Sequence, residues 1–208
     1  MVVNFQHMRF DTYHHPEQAG FSLIELLVSL LILTFGLLGL AALQARATNA
    51  EFESYQRSQA VMLANDMVER IRTNRANMGY FKNISDAATG SGYIGATGAD
   101  EYALTCPPFD PTDRAGRDLC EWSDLLVGTA ESLGTNKVGA MIGARGCIFY
   151  DASTEIPGIP DTGIFTVAVS WQGSQDTVAP SVNCGNGLYG VETRRRTIAM
   201  PFRMANLK

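Results

Sequence analysis

Histidines, cysteines and clustered carboxylates are the residues of this 208-residue sequence that could do chemistry by type. All three histidines, His7, His14 and His15, precede residue 20. A chain cut there holds no imidazole, and so lacks the commonest general base and the commonest nitrogen ligand for a metal. The four cysteines, Cys106, Cys120, Cys147 and Cys184, form no C-x-x-C pair, which leaves a zinc ribbon or a thioredoxin-like motif unsupported. Neither G-x-S-x-G nor H-E-x-x-H occurs. Gly185-Asn186-Gly187-Leu188-Tyr189-Gly190 matches G-x-G-x-x-G, but it leads into a strand-like segment and does not open a helix inside a βαβ unit. It reads as a turn. Asp110 and Asp113 lack further acidic ligands at loop spacing, so they too read as a turn and not as a calcium site. These residues predict no catalytic group, no metal, no cofactor, and a protein that is not an enzyme.

The net charge is −5, and the one basic run is Arg194-Arg195-Arg196. That argues against nucleic acid as a partner, which calls for a clustered basic face. The run itself reads as a solvated strand start. The length suits one sizeable domain plus an anchoring segment. An even number of cysteines in an exported chain favours two disulfides in an oxidising compartment, against buried free thiols.

The element that must position any N-terminal chemistry is the apolar run from Phe21 to Leu43. As a helix it spans roughly 34 Å, enough for a bilayer. It is longer than the apolar core of a secretory signal, about 7 to 15 residues. Ala41-Ala42 and Ala45-Arg46-Ala47 nevertheless imitate a signal-peptidase site. Gly36 and Gly39 are spaced i, i+3 and read as ordinary members of an apolar helix, though small residues also allow close helix approach.

Glu25 is the informative residue. An acid at membrane depth costs on the order of a few kcal/mol, less near the end of a span where it reaches the interface. It needs a positive partner. Cleavage between Gly20 and Phe21 creates one, a new α-amino group about one helical turn from Glu25 of its own chain or of a neighbour.

Gly20-Phe21-Ser22-Leu23-Ile24-Glu25, followed by Leu26-Leu27-Val28 and further apolar residues, resembles the class III signal of type IV prepilins and of type II secretion pseudopilins. The resemblance implies that a prepilin peptidase cuts after Gly20 on the cytoplasmic side and methylates the Phe21 nitrogen. It implies that Glu25 neutralises the amino terminus of an adjacent subunit during assembly. Leaders of this family are usually rich in Lys and Arg, which fits the positive-inside rule. Residues 1–20 hold only Arg9 against Asp11 and Glu17, so orientation rests on the motif. A start at Met8 gives a leader of more ordinary length.

From Gln44 the sequence turns polar but keeps helical spacing. Phe52, Tyr55, Leu63, Met67 and Ile71 fall near one face with Ala60 and Ala64 between them, and Glu51, Arg57, Asn65, Glu69 and Arg72 lie opposite. One helix over about 21–75 is predicted, stopped near Asn74, Asn77 and Gly79. Fewer than three clean heptads argue against a coiled-coil stalk. Residues 79–118 are loop-rich. A short amphipathic helix is expected over about 116–127, ending at Gly128. Strands follow: Cys147 to Tyr150; Ile164 to Trp171, with Phe165, Val167, Val169 and Trp171 on one face; and Arg194 to Met204, with Ile198, Met200, Phe202 and Met204 inward. Pro201 puts the last strand at an edge or a bend.

The expected class is α+β: a long N-terminal helix with an antiparallel sheet packed on its C-terminal half, the type IV pilin fold that the resemblance implies. The expected divisions are a leader at 1–20, the membrane or filament-core half of the helix at 21–43, its amphipathic half at 44–75, and a periplasmic or extracellular domain at 76–208. The Leu37 to Gln44 run, the Cys106, Cys120 and Trp122 stretch, and the Cys147 strand resemble PilV-type minor pilins, the type IV pilus modification proteins. For such a subunit the expected partners are other major and minor pilins, prepilin peptidase, the inner-membrane assembly platform and the membrane itself, crossed once with the N-terminus cytoplasmic. The expected location is that membrane and then the pilus. Four cysteines allow three pairings; Cys106–Cys120 and Cys147–Cys184 are preferred. A minor pseudopilin of type II secretion shares the same signal. An exported binding domain with an uncleaved signal anchor is the reading from a different class.

Overall fold

The computed structural model describes residues 20–98, 100–106, 113–128, 132–133, 136–137 and 141–204. The chain divides into two compact units, Met1–Ala47 and Thr48–Lys208. Helix α1, Leu23–Thr73, has 51 residues and belongs to both. In the first unit every described residue is exposed, the large aliphatic side chains included. By length and composition this part of α1 is apolar enough to cross a membrane. Among the described residues nothing covers that surface; an exposed apolar face of this size is one that lipid or other protein covers.

In the second unit α1 buries Gln56, Ala60, Ala64, Met67, Val68 and Ile71, a stripe at steps of three and four. The sequence reading placed Phe52 and Tyr55 on this face, and the structure corrects it: they are 47% and 54% exposed. For Tyr55 the reason is angular: one residue ahead of buried Gln56, it is turned about 100° away. Phe52 lies on the line of Gln56 but one turn nearer the helix start, before the first buried residue of the stripe. The helix ends where Asn74 N donates to the carbonyls of Arg70 and Ile71, each at 3.1 Å. A one-turn helix α2, Met78–Phe81, follows.

Helix α3 runs Arg114–Val127. Asp113 caps its start, accepting from Gly116 N at 2.8 Å, and Gly128 closes it with φ 72°, a left-handed conformation that favours glycine. Its buried face carries Ala115, Leu119, Trp122 and Leu126. Trp122 also donates its indole N–H to Leu63 O at 2.9 Å, which ties α3 to α1.

A four-stranded antiparallel sheet completes the core, in the order β1 (Ile94–Gly95), β4 (Arg145–Asp151), β5 (Ile164–Gln172), β6 (Arg195–Arg203). A separate two-stranded ribbon pairs β2 (Ser132–Leu133) with β3 (Asn136–Lys137). One face of the sheet, with Ile148, Phe165, Val167, Val169, Trp171 and Phe202, packs on the α1 stripe and on Trp122. Ile198 and Met200 join from the same face of β6, half-buried. β6 is the outer strand, and Pro201 stands opposite Thr166. The Arg194 carbonyl accepts from Gly173 N, so even-numbered β6 residues face β5 and odd-numbered Pro201 faces the open edge. A missing N–H there breaks no ladder bond.

The other face of the sheet is covered as well. Ala168 and Ser170 are fully buried, under Cys184 and Tyr189 of the loop before β6. The Gly185, Gly187 and Gly190 motif lies in this loop, each glycine at positive φ. It is a turn and opens no helix.

Gly146 makes the tightest approach of sheet to helix. A Cβ there would lie 2.1 Å from Cη2 of Trp122 and 2.8 Å from Cδ1 of Leu126. Gly146→Ala is therefore expected to cost about 2–3 kcal/mol through overpacking. Thermal unfolding of the disulfide-intact protein checks it, and an unchanged midpoint would rule out the described contact.

Candidate functional site: the head of the N-terminal helix

Gly20 and Phe21 lie in non-helical chain directly ahead of α1, and Phe21 is 83% exposed. A Cβ added at Gly20 meets nothing within 4 Å. The peptide bond between them is thus exposed and outside the helix, where a protease can reach it. The helix then starts abruptly. Glu25 N and Leu26 N donate to Ser22 O at 3.0 and 3.2 Å. Ser22 and Glu25 stand at the S-x-x-E spacing of a capping box, and Glu25 occupies the first turn, where the helix dipole favours a carboxylate. Glu25 has no ion-pair partner among the described residues, and exposed Leu23, Ile24, Leu26, Leu27 and Val28 surround it in sequence. A lone acid in an apolar surface is a group that waits for a cation.

Gly36 and Gly39 meet nothing within 4 Å where a Cβ would stand, so this chain's own fold does not require them. The four cysteines lie in the second unit. Cys106 bonds Cys120 of α3, with Cα atoms 5.8 Å apart; Cys147 of β4 bonds Cys184 of the covering loop, at 5.7 Å. The second bridge closes 37 residues and holds the loop over Ala168 and Ser170. Cys147→Ser with Cys184→Ser is expected to lower stability by about 3–4 kcal/mol, the scale for a loop of that size. Denaturant unfolding of the double variant against the parent measures it, and a loss under about 1 kcal/mol would contradict the placement of the bridge in the core.

The arginine run departs from the solvated strand start expected of it. Arg195 is 2% exposed. It pairs with Glu192 at 2.6 Å, donates to Cys184 O at 3.1 Å and Pro180 O at 3.2 Å, and contacts Val182 O. It therefore satisfies the carbonyls of the disulfide-held loop. Arg196 reaches Glu53 of α1 at 3.2 Å, and Arg194 pairs with Asp176 on the exposed side. Arg145 is also buried, its guanidinium 5.1 Å from the ring centres of both Tyr93 and Tyr189. Burial pushes the Tyr189 hydroxyl up, against the hydrogen bond from Ser170 and the charges of Arg145 and Arg195. Sequence reasoning missed Arg145 and Arg195 as core residues, since only their chain-distant partners make them so. Asp113 is the N-cap of α3, while Asp110 lies outside the described residues. Among the described residues no group of three His, Cys, Asp or Glu side chains is placed to hold a metal ion.

Residues 16–41 match the family model of the prokaryotic N-terminal methylation motif. Residues 42–106 match the family model described as type IV pilin Tt1218. No curated protein and no solved structure matches the chain. The first match spans Gly20, Phe21 and Glu25; the second begins where the apolar run of α1 ends. The chain thus matches a prepilin-type methylation motif over 16–41 and a type IV pilin model over 42–106, and its long helix and antiparallel sheet are those of the type IV pilin fold.

Proposed function

We propose that this protein is a minor pilin of a type IV pilus, of the PilV type, and a structural subunit with no catalytic role. In this reading prepilin peptidase cuts it after Gly20 and methylates Phe21. Before assembly it sits in the inner membrane by α1, crossed once, with the N-terminus cytoplasmic. The assembly platform then moves it into a filament with other major and minor pilins, where it assists initiation and the motility or adhesion that depend on the pilus.

One observation carries the reading: an exposed, non-helical Gly20–Phe21 bond directly ahead of an uncovered apolar helix with Glu25 in its first turn, inside the matched methylation motif. The physical driving force is an exchange of surroundings. Lipid covers the apolar part of α1 in the monomer, and neighbouring helices cover it in a filament. Helix association between such equally apolar surroundings rests on close packing and polar pairing. Glu25 and a freed amino terminus supply the pairing.

A minor pseudopilin of type II secretion is the second reading, favoured by the same motif. Deletion separates the two. Loss of pilus-dependent twitching with normal exoprotein secretion is the expected result, together with recovery of the chain in sheared filaments. Loss of secretion with intact twitching would transfer the protein to the second reading.

A further inference from the structure

The two disulfides differ in what surrounds them. Cys147 and Cys184 are each 0% exposed and lie with Tyr93, Phe149 and Ala168 in an apolar cluster between the sheet and its covering loop. Reaching either sulfur means lifting that loop, and the loop is fastened along its length. Asn183 Nδ2 donates to Ala87 O at 3.1 Å and to Ala88 O at 2.9 Å. Arg195 holds the carbonyls of Pro180 and Cys184, and the Tyr189 hydroxyl donates to Gly143 O at 2.8 Å. These bonds and the apolar cluster break together, which is sub-global unfolding.

The bridge between Cys106 and Cys120 stands elsewhere. Cys106 is exposed, as are Ala103 and Thr105 beside it, while Cys120 on α3 is 4% exposed. Each cysteine is held by contacts independent of the bond between them. The Cys106 segment is fixed where Gly92 N donates to Asp100 O and Tyr102 N to Tyr93 O, both at 2.8 Å, and where Tyr102 and Leu104 pack against the core. Helix α3 is fixed by its Asp113 cap, by the Trp122 bond to Leu63 O, and by Arg70 of α1, which reaches Asp118 at 3.3 Å and Glu121 at 2.7 Å. Breaking the S–S bond removes none of these contacts. Exchange needs only that a thiolate reach one of the two sulfurs, and Cys106 offers the exposed side.

We propose that Cys106–Cys120 is opened and closed by thiol–disulfide exchange on the folded domain, whereas Cys147–Cys184 forms before the loop covers the sheet and is then sealed. In the opening step a thiolate of a dithiol reductant attacks Cys106 Sγ. The S–S bond breaks, and Cys120 leaves as a thiolate that takes up a proton. The second thiol of the reductant resolves the mixed disulfide and releases Cys106 as a thiol. The bridge gains two electrons and two protons, and the dithiol becomes a disulfide. A disulfide oxidant runs the same path in reverse. The order of oxidation follows: the buried bridge closes first, and the oxidoreductase that closes the exposed one meets a folded substrate. This order holds whether the subunit serves a pilus or a secretion system.

The full chain in detergent micelles, without denaturant, is treated with dithiothreitol, quenched at intervals with iodoacetamide, and digested. Mass spectrometry then reads the alkylated fraction of each cysteine. Cys106 and Cys120 are expected to be labelled about a hundredfold faster than Cys147 and Cys184, or more. Amide hydrogen exchange in β4 and β5 is expected to stay at the parent level at that stage, and glutathione disulfide to restore the opened bridge. A ratio of rates under about ten, or earlier labelling of Cys147 and Cys184, overturns the assignment. Faster amide exchange in β4 and β5 as Cys106–Cys120 opens overturns the claim that the domain stays folded. The variant Cys106→Ser with Cys120→Ser is the independent check. It is expected to keep Cys147 and Cys184 as slow to label as in the parent, and tenfold faster labelling there would show that the exposed bridge holds the core, against the proposal.

Discussion

Glu25→Ala is expected to be cut after Gly20 at the parent rate and to enter filaments at about a tenth of the parent level or less. The structure separates the two effects. Glu25 touches no other described side chain by an ion pair, and it stands in the first turn of a 51-residue helix. Losing its dipole interaction costs about 0.3–1 kcal/mol, too little to unwind α1. In the membrane the change works the other way. Removing a carboxylate from an apolar span makes the monomer more comfortable in lipid by up to about 2–3 kcal/mol. The variant thus gains stability where it waits and loses its attraction where it must go. About 1.4 kcal/mol per tenfold makes the expected defect readily measurable. Glu25→Gln keeps a hydrogen-bonding side chain without the charge and is expected to fail like Ala, whereas Glu25→Asp keeps the charge and is expected to retain part of the function. Quantitative immunoblots of sheared filaments against membranes give the ratio. Parent-level incorporation of both Ala and Gln variants would remove the carboxylate from the account.

Gly20→Val carries the second large effect, on processing. The space around Gly20 is open and its backbone is not left-handed, so a valine changes nothing in the fold of this chain. Any loss of cleavage then reports the fit of the scissile bond into the peptidase. A β-branched side chain at the bond restricts the backbone and widens it at the point of closest approach. Cleavage is expected to slow by roughly a hundredfold or more, equivalent to about 2.7 kcal/mol of transition-state binding. The precursor accumulates in the membrane with residues 1–20 attached. A parent cleavage rate with purified prepilin peptidase would mean that Gly20 does not mark the bond.

Much of this was readable in the sequence for reasons of locality. The apolar run, the acid at its head and the glycine before it are neighbours along the chain. So are the alternation of Phe165, Val167, Val169 and Trp171, and the Gly128 stop of α3. What escaped reading depends on contacts between distant residues. Arg195 belongs by alternation to the outer face of β6, and it is buried because a disulfide-held loop lays the carbonyls of Pro180, Val182 and Cys184 over it. Ala168 and Ser170 look like a solvent face and are covered by the same loop. Tyr55 looks like core and is exposed because neighbouring Gln56 takes the buried line, and Phe52 is exposed because it stands one turn before that line begins to be covered. Two-residue strands such as β1 are too short to show a period at all.

The second unit holds two buried arginines and two disulfides. The lone acid, the open glycine and the uncovered helix belong to the head of α1. In the proposed reading, that division belongs to a subunit that a peptidase processes and whose work is to pack.

The mass of the mature N-terminus tests the central claim most directly. Protein isolated from cell membranes, digested and analysed by mass spectrometry, is expected to give an N-terminal peptide beginning at Phe21 and heavier by one methyl group. A peptide that still contains residues before Phe21, or a chain that begins after Ala45 or Ala47, would contradict it.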